Sequence, residues 1–423
     1  MPFIVTPASS LTGSITTPGD KSISHRALLI AALAPGTSTI EGLSSGRDVL
    51  STAQALRDLG ISVIAAGTVV VDGGADRMVQ PLGPLDCGNS GTTFRLLLGL
   101  LGGLGISATL TGDASLSSRP MDRVKLPLAQ MGISVEGSGQ RCLAPVIVSR
   151  DAALRAIDYT LPVASAQVKS AVLFAGLFGD GPTVVREHTP TRIHTEEMLA
   201  HAGIHVTTTT EATINTTVLP GIPKARSWTI PGDPSQAAFF VVAGLLAAKG
   251  TVIIPNLYSG PGRSGFVDVL IRMGADISVA RQDASMTLTV RPSDLHATEI
   301  AANEIPSLDE VPILIVAATG ASGTTVLRDL GELRVKESDR FSASASLARS
   351  LGAQVEVIGD DLTITGVGSA SRFASIVVDP QGDHRMAMSA AIAGTVGNGA
   401  TISDEDCVET SFPGFFSQLS SLA

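Results

Sequence analysis

The densest group of reactive side chains in the sequence lies in PGDKSISHRALLIAALAPG, residues 18–36. Lys21, Ser22 and Arg26 fall on the predicted first turn of an apolar helix. Fixed cations at that end oppose the helix macrodipole, whose positive pole is at the N-terminus. An anionic ligand would offset the clash. The alternative is a plain helix start, with Ser22 or Ser24 as N-cap and the cations in water.

Comparable groups occur at five further places along the chain. They are NSGTTFR at 89–95 with Arg119-Pro120 beyond it, ASAQVKS at 164–170, Arg192, Asp309-Glu310 with RVKESDR at 334–340, and DHR at 383–385. Arg and Lys at helix starts suit ligands with carboxylate and phosphate groups, because free backbone N–H groups there also favour anions.

The elements that carry these groups recur about every 70 residues, which is typical of a supersecondary repeat. Each copy reads as a polar turn, a helix of small apolar residues, a glycine, a β-branched strand and then an amphipathic second helix ended by glycine. The copies begin near residues 18, 87, 162, 231, 308 and 381. The pattern predicts an α/β protein of six repeats. The alternative is six unrelated α/β segments of similar composition.

The sixth copy stops after its second helix, FPGFFSQLSSLA, without closing strands. The N-terminal residues FIVTPASSLTGSITT could supply them. We therefore predict a first domain at 20–230 and a second, discontinuous domain at 1–19 and 231–423. If equivalent helices point the same way, their N-termini converge on one anion site.

Each motif also has a purely structural interpretation. GNSGT at 88–92 could be a tight turn, and Ser165 and Gln167 could be helix caps. RVKESDR could be an ion-paired surface run with Lys336 and Arg340 at i,i+4 spacing. Arg385 could pair locally with Asp383. Six unrelated surface clusters would not keep one position in a repeat, which favours the anion site.

Composition narrows the function. The chain has 423 residues and a net charge of −10, with 29 Lys and Arg against 39 Asp and Glu. Binding to a nucleic acid backbone requires a basic face, so nucleic acid is not an expected partner. Three separated cysteines, Cys87, Cys142 and Cys407, indicate a reduced, cytoplasmic protein without a disulfide framework. No signal peptide or membrane span is expected, and P-loop, HExxH and CxxC motifs are absent from the sequence.

In this order along the chain, PGDKSISHRALLIAALAPG, CGNSGTTFRLL, SRPMDRV, ASAQVKSA, RVKESDR and DHRMAM closely resemble the 5-enolpyruvylshikimate-3-phosphate synthase family. The resemblance implies a two-domain enolpyruvyl transferase fold, with three βαβαββ units in each domain around an interdomain cleft. It also implies transfer of enolpyruvate from phosphoenolpyruvate to the 5-hydroxyl of shikimate 3-phosphate, with release of phosphate and without a metal or organic cofactor. The expected partners are these two small molecules, and the expected state is a monomer.

The resemblance assigns roles residue by residue. Asp309 would be the base, Glu337 the acid, and Lys21 would assist both. Residues assigned to shikimate 3-phosphate are Lys21, Ser22, Arg26, Ser165, Gln167, Arg192, Asp309 and Lys336. Residues assigned to phosphoenolpyruvate are Lys21, Asn89, Gly91, Arg119, Gln167, Arg340 and Arg385.

Two positions depart from the pattern of some family members. Thr410 stands where some carry a lysine that contacts phosphoenolpyruvate, and Glu332 stands where some carry an asparagine. Two other functions remain open at this stage. One is enolpyruvyl transfer to UDP-N-acetylglucosamine, although the loop DASLSSRPMDR lacks the cysteine acid of that sister family. The other is a non-catalytic binding protein on the same fold.

Overall fold

The computed structural model describes residues 2–423, and within them the chain forms two compact units. The contiguous unit comprises residues 19–230, and the split unit comprises residues 2–18 and 231–423. The division falls between Pro18 and Gly19, one residue before the sequence-based boundary. Gly19 lies so close to the carbonyl oxygen of Gly42 that a side chain would overlap it, which ties Gly19 to the contiguous unit.

The elements up to residue 230 alternate as the repeat predicts. The strands are β1 Phe3–Val5, β2 Gly13–Ser14, β3 Gly36–Glu41, β4 Ser62–Ala66, β5 Thr68–Gly73, β6 Leu85–Asp86, β7 Ala108–Thr111, β8 Ser134–Ser138, β9 Leu143–Ser149, β10 Asp158–Thr160, β11 Thr183–Glu187, β12 Val206–Thr210, β13 Ile214–Val218 and β14 Ser227–Thr229. The helices are α1 Lys21–Leu33, α2 Arg47–Asp58, α3 Gly91–Leu104, α4 Ala114–Ser117, α5 Asp122–Gln130, α6 Ala166–Gly176 and α7 His194–His201.

The remaining elements continue the alternation. The strands are β15 Val252–Tyr258, β16 Asp276–Gln282, β17 Ser285–Arg291, β18 Glu299–Ala301, β19 Thr324–Arg328, β20 Gln354–Ile358, β21 Asp361–Thr365, β22 Ile376–Val378 and β23 Ala400–Ile402. The helices are α8 Pro234–Leu246, α9 Gly265–Arg272, α10 Val311–Gly320, α11 Arg340–Ser350, α12 His384–Val396 and α13 Phe415–Ser421.

Five sheets share one strand order, which confirms the repeats predicted from the sequence. The orders are β14-β3-β5-β4, β6-β7-β9-β8, β10-β11-β13-β12, β2-β15-β17-β16 and β18-β19-β21-β20. In each, the first two strands are parallel and the last two form an antiparallel hairpin, as βαβαββ units require.

The sixth sheet has three strands, in the order β1-β23-β22. Strand β1 pairs antiparallel with β23, with Ile4 opposite Thr401. The N-terminal residues therefore close the last repeat, as predicted. They also open the fourth, because β2 pairs in parallel with β15.

Buried helices explain why the first helix of each repeat is made of small apolar residues. All ten residues of α10 are buried, and α1, α8 and α12 are buried almost entirely. A helix that is apolar all round belongs in a core. In α3, Gly99 approaches the carbonyl oxygen of Ala171 on α6 so closely that no side chain fits between the two helices. None of the helices in residues 2–423 has the length and apolar character that a membrane crossing requires.

Candidate active site

Helix α1 begins at Lys21, so Lys21 and Ser22 lie in its first turn, as expected, and Arg26 lies in its second. Neither Ser22 nor Ser24 caps this helix. Asp20 does, accepting a hydrogen bond from the Ile23 backbone N–H at 2.9 Å. Lys21 Nζ lies 2.9 Å from Asp48 Oδ2 of α2, with both side chains largely buried. Intramolecular charge pairing therefore offsets part of the unfavourable interaction of Lys21 with the helix dipole.

Arg26 lies inside the contiguous unit rather than on its surface. Its Nε donates to Thr195 Oγ1 at 2.6 Å, and its Nη2 donates to Ser170 Oγ at 2.6 Å. Its Nη1 donates to the Ser22 carbonyl oxygen at 2.9 Å, in a less buried contact. Arg192 Nη1 donates to Ser22 Oγ at 3.0 Å. The structure thus brings together Ser22, Arg26 and Arg192, which the sequence analysis assigned to one ligand.

A second cluster forms at the start of α3. Ser90 caps the helix by accepting from the Thr93 N–H at 3.1 Å. Arg119 is 7% exposed, and its Nη2 donates to Asn89 Oδ1 at 2.7 Å and to Ser115 Oγ at 2.9 Å. Its Nη1 donates to the Asn89 carbonyl oxygen at 3.2 Å. Asn89 therefore acts here as the residue that orients Arg119.

Gln167 joins this cluster to α6. Its Oε1 accepts from Arg95 Nη1 at 2.6 Å, and its Nε2 donates to Thr92 Oγ1 at 2.9 Å. Ser165 is the N-cap of α6, as its structural interpretation predicted. Arg95 lies in the NSGTTFR motif but was not among the residues assigned to a ligand. Its spacing could have indicated a role, because Gly91 and Arg95 are four residues apart and therefore lie on one face of α3.

The split unit holds the remaining candidates, at the starts of α10, α11 and α12. Arg340 is almost completely buried and meets three carboxylates. Its Nε lies 2.7 Å from Asp383 Oδ2, its Nη2 lies 2.6 Å from Glu337 Oε2, and its Nη1 lies 3.3 Å from Asp309 Oδ1. Burial alone would lower the pKa of Arg340, but the charges of Asp383, Glu337 and Asp309 outweigh it and raise that pKa above its ordinary value.

Arg385 also faces Asp309. Its Nη1 donates to the Asp309 carbonyl oxygen at 3.1 Å, and its Nη2 lies 3.6 Å from Asp309 Oδ2. Purely local pairing of Arg385 with Asp383 was therefore wrong for the side chain, although Asp383 caps α12 through the Arg385 backbone N–H. Lys336 Nζ lies 3.5 Å from the Ser307 carbonyl oxygen.

RVKESDR is not the ion-paired surface helix that its spacing allows. Residues Gly331–Val335 form a 3-10 turn, α11 starts only at Arg340, and Arg340 points into the protein. Lys336 and Arg340 therefore do not share a helix face. Their i,i+4 spacing does not bring the two side chains together, because the segment is not a continuous helix.

Backbone strain accompanies Asp309. The preceding residue, Leu308, is buried and has φ of 56°, a conformation that costs a non-glycine residue energy. The Asp309 N–H donates to Ser307 Oγ at 3.3 Å, and Ser307 Oγ donates to Glu310 Oε2 at 2.6 Å. Glu310 also accepts from Ser235, which Arg263 contacts in turn. A buried polar network therefore holds the segment in which Asp309 lies.

The structure places the predicted residues in two sets, one in each unit. The contiguous set is rich in cations, namely the predicted Lys21, Arg26, Arg119 and Arg192, together with Arg95, which the structure adds through Gln167. The split set pairs Lys336, Arg340 and Arg385 with Asp309, Glu337 and Asp383. Neither set is arranged for a metal, since no group of three or more His, Cys, Asp or Glu side chains in residues 2–423 is placed to hold one.

Comparison with known proteins shows which family the chain matches. The family model described as EPSP synthase (3-phosphoshikimate 1-carboxyvinyltransferase) matches residues 5–419. The chain is 47% identical to a 3-phosphoshikimate 1-carboxyvinyltransferase from Gloeobacter violaceus over 99% of this chain and 98% of the relative. It is 42% identical to the enzyme of that name from Citrifermentans bemidjiense, again over 99% and 98%.

The fold agrees with the sequence relatives. An EPSP synthase structure from Acinetobacter baumannii matches with a TM-score of 0.87 and 36% identity, covering 100% of this chain and 98% of that one. The predicted enolpyruvyl transferase fold is thereby confirmed, and the sister family that uses UDP-N-acetylglucosamine is not favoured. The chain belongs to the EPSP synthase (3-phosphoshikimate 1-carboxyvinyltransferase) family.

Proposed function

We propose that the chain transfers the enolpyruvyl group of phosphoenolpyruvate to the 5-hydroxyl of shikimate 3-phosphate, and that the two residue sets act on this one pair of substrates. The observation that carries the proposal is the concentration of cations in the contiguous set. Like charges gathered within one unit repel one another, and an anionic ligand relieves that repulsion. Both substrates carry a phosphate and a carboxylate.

The acceptor would bind mainly in the contiguous unit. Arg26 would hold its carboxylate beside Ser22. Ser165, Gln167 and Arg192 would serve its phosphate. The Arg26 guanidinium already lies in a fixed orientation, so little side-chain entropy is lost on binding. Lys336 of the split set would contact a ring hydroxyl.

Phosphoenolpyruvate would bind to Arg119, Arg340 and Arg385, whose planar guanidinium groups match carboxylate and phosphate oxygens in pairs. Gln167 would contact this ligand as well as the acceptor. Asn89 would keep Arg119 oriented, while Gly91 would let the backbone approach the ligand. Lys21 would contact both substrates.

The reaction needs one proton removed and one delivered. Asp309 would accept the proton of the acceptor 5-hydroxyl as its oxygen attacks C2 of phosphoenolpyruvate, and Glu337 would deliver a proton to the methylene carbon. The product of this addition is a tetrahedral ketal. Loss of a proton from its methyl group and departure of phosphate restore the double bond. Each such acid or base typically increases the reaction rate about 10²–10⁴-fold.

Binding and chemistry are coupled at Arg340 and Arg385. Both guanidinium groups contact Asp309, and Arg340 also contacts Glu337. An incoming carboxylate or phosphate would compete with these side chains for the same donors. When the donor substrate arrives, Asp309 would be released as the ionised base, and Glu337 would be released to take up from solvent the proton that it then delivers as the acid.

A direct assay tests the proposal. Phosphate release from phosphoenolpyruvate is measured with shikimate 3-phosphate or with UDP-N-acetylglucosamine as acceptor, in the wild type and in Asp309→Asn. Release with shikimate 3-phosphate alone, lost in Asp309→Asn but retained in the exposed-site control Asp294→Asn, would support the assignment. Release with the nucleotide sugar, or with neither acceptor, would refute it.

We further propose that the chain is cytoplasmic and acts as a monomer. Cys87, Cys142 and Cys407 are all buried free thiols, which suits a reducing compartment. The proposed substrate contacts all come from residues of one chain. Sedimentation of the active protein at assay concentration tests the monomer, and a dimer mass would refute it.

A further inference from the structure

The hydrogen bonds around Arg26 occupy a particular edge of its guanidinium. Nε and Nη2 form the side-on fork with which arginine usually grips a carboxylate. Here that fork meets Thr195 Oγ1 and Ser170 Oγ, each at 2.6 Å, and these two oxygens lie 2.7 Å apart. The hydroxyl pair therefore takes the place of the two oxygens of a carboxylate.

The direction of every hydrogen bond in this group follows from the donor inventory. Ser170 Oγ donates to the Ala166 carbonyl oxygen at 2.6 Å, which uses its one hydrogen. In the contact between Ser170 and Thr195, Thr195 must then be the donor. Each hydroxyl already donates its one hydrogen to another group, so towards Arg26 both can act only as hydrogen-bond acceptors. The arrangement is complete and has one orientation.

Both acceptors are neutral, unlike those of other buried cations in the chain. Lys169, adjacent to Ser170 on α6, pairs with Glu187 and Glu196 at 2.7 Å each. Arg340 pairs with three carboxylates. A hydroxyl pair fixes the Arg26 fork without adding a negative charge that would compete with an anionic ligand.

The position of Thr195 is itself fixed. It lies in the first turn of α7, and the next residue, Glu196, is bound to Lys169. Contacts from Ser170 to Thr195 and from Lys169 to Glu196 thus join neighbouring positions of α6 to neighbouring positions of α7. Two adjacent links of this kind hold the hydroxyl at one distance from Arg26.

We propose that Thr195 and Ser170 are positioning residues for Arg26, which hold its side-on fork so that the Nη1 end is presented to the carboxylate of the acceptor. The inference rests on the proposed function, because it takes Arg26 as the carboxylate-binding residue. It adds two residues that make no contact with substrate in this scheme.

The test compares Thr195→Val, which keeps the shape and removes the acceptor, with Thr195→Ser, which keeps the hydroxyl. Thr195→Val should raise the KM for shikimate 3-phosphate about tenfold to a hundredfold, as expected for loss of a hydrogen bond to a charged group. Its kcat and its KM for phosphoenolpyruvate should change less than about twofold, because the reacting atoms are untouched. Thr195→Ser should restore the KM to within about threefold of the wild type.

The methyl ester of shikimate 3-phosphate, bound calorimetrically, isolates the carboxylate. The wild type should bind the ester less tightly than the acid, and Thr195→Val should bind the ester about as well as the wild type does. An unchanged KM in Thr195→Val, or an equal loss of affinity for ester and acid, would overturn the proposal. If Thr195→Val does not fold, Ser170→Ala is held to the same criteria. A wild type without activity on shikimate 3-phosphate would refute the proposed function instead.

Discussion

Substitution of Gly91 by alanine tests how the start of α3 serves phosphoenolpyruvate. Gly91 is the first residue of the helix and does not have a positive φ, so an alanine backbone fits there. Its added Cβ would lie 2.9 Å from Arg95 Nη1 and 3.6 Å from Arg119 Nη1. The first distance is shorter than a real Cβ contact, so the end of Arg95 must shift by several tenths of an ångström.

The cost follows from what Arg95 holds. Its Nη1 donates to Gln167 at 2.6 Å, and its Nη2 donates to the Pro120 carbonyl oxygen at 3.3 Å, beside Arg119. Loss of the Gln167 bond would cost about 1.5–3 kcal/mol. Replacement of glycine by alanine at a compatible position returns about 0.4–1 kcal/mol. The net destabilisation is about 0.5–2.6 kcal/mol, which a protein with the usual stability of about 5–15 kcal/mol survives.

Relative to its total, the binding of phosphoenolpyruvate should be weakened more than the stability of the protein. Gln167 and Arg119 are both proposed phosphoenolpyruvate contacts, and both depend on the displaced segment. We expect Gly91→Ala to raise the KM for phosphoenolpyruvate about tenfold, equivalent to about 1.4 kcal/mol, with a smaller change in the KM for shikimate 3-phosphate. Steady-state phosphate release at varied phosphoenolpyruvate measures it. Gly83→Ala, at an exposed position with no neighbour near the added Cβ, is the control.

A double-variant cycle identifies the route of the effect. If crowding acts through Arg95, Gly91→Ala should have little further effect on the KM in an Arg95→Ala background. An undiminished effect there would mean that the methyl group meets the ligand itself. An unchanged KM in the single variant would refute the reasoning altogether.

Three further outcomes are expected. Asp309→Ala should lower kcat about 10²–10⁴-fold with smaller changes in substrate binding, measured by kinetics and calorimetry, and comparable losses in both would contradict a base role. Lys169→Met leaves two buried carboxylates without their cation and should lower the free energy of unfolding by about 3–5 kcal/mol in urea, whereas exposed Lys224→Met should be near neutral. Burial, followed by the charges of Lys21 and Arg26, holds the pKa of His25 well below 6.5. As the pH falls through 6.5, this histidine therefore takes up a proton in the unfolded chain but not in the folded one. Between pH 7.5 and 5.5 the wild type should therefore lose about 1.4 kcal/mol more stability than His25→Asn in urea titrations. The exposed control His205→Asn should behave as the wild type. Equal losses in the wild type and His25→Asn would contradict the assignment.

The repeats could be predicted from the sequence because their signals are local. A helix of small apolar residues ended by glycine marks each copy, and the missing strands at the C-terminus left the N-terminal FIV as the remaining partner. Strand β1 does close the sixth sheet. The strand β14, which opens the sheet of the first repeat, was not anticipated, because Ser227–Thr229 is three residues long and pairs with β3 far away in the sequence.

The candidate residues were found through motifs, but their contacts were not. Arg26 bonds to Ser170 and Thr195, which are 144 and 169 residues away. A periodic pattern in the sequence cannot predict such pairs, because they form only when α1, α6 and α7 pack together. Thr195 lies outside every quoted motif and looks like an ordinary first-turn residue of an amphipathic helix.

The partners of the cations separate two kinds of anion site that look alike in sequence. Arg26 is held through Nε and Nη2 by two hydroxyls, so in the proposed scheme a ligand carboxylate reaches Nη1 without displacing a carboxylate from that fork. Arg340 is held by Asp309, Glu337 and Asp383, so the proposed ligand would have to displace a carboxylate to reach it. Under the proposed function, this competition would weaken binding at Arg340 but would also free Asp309 and Glu337 for proton transfer. A site that only binds has no use for the second arrangement, whereas a site that must activate an acid and a base upon arrival of the donor substrate does.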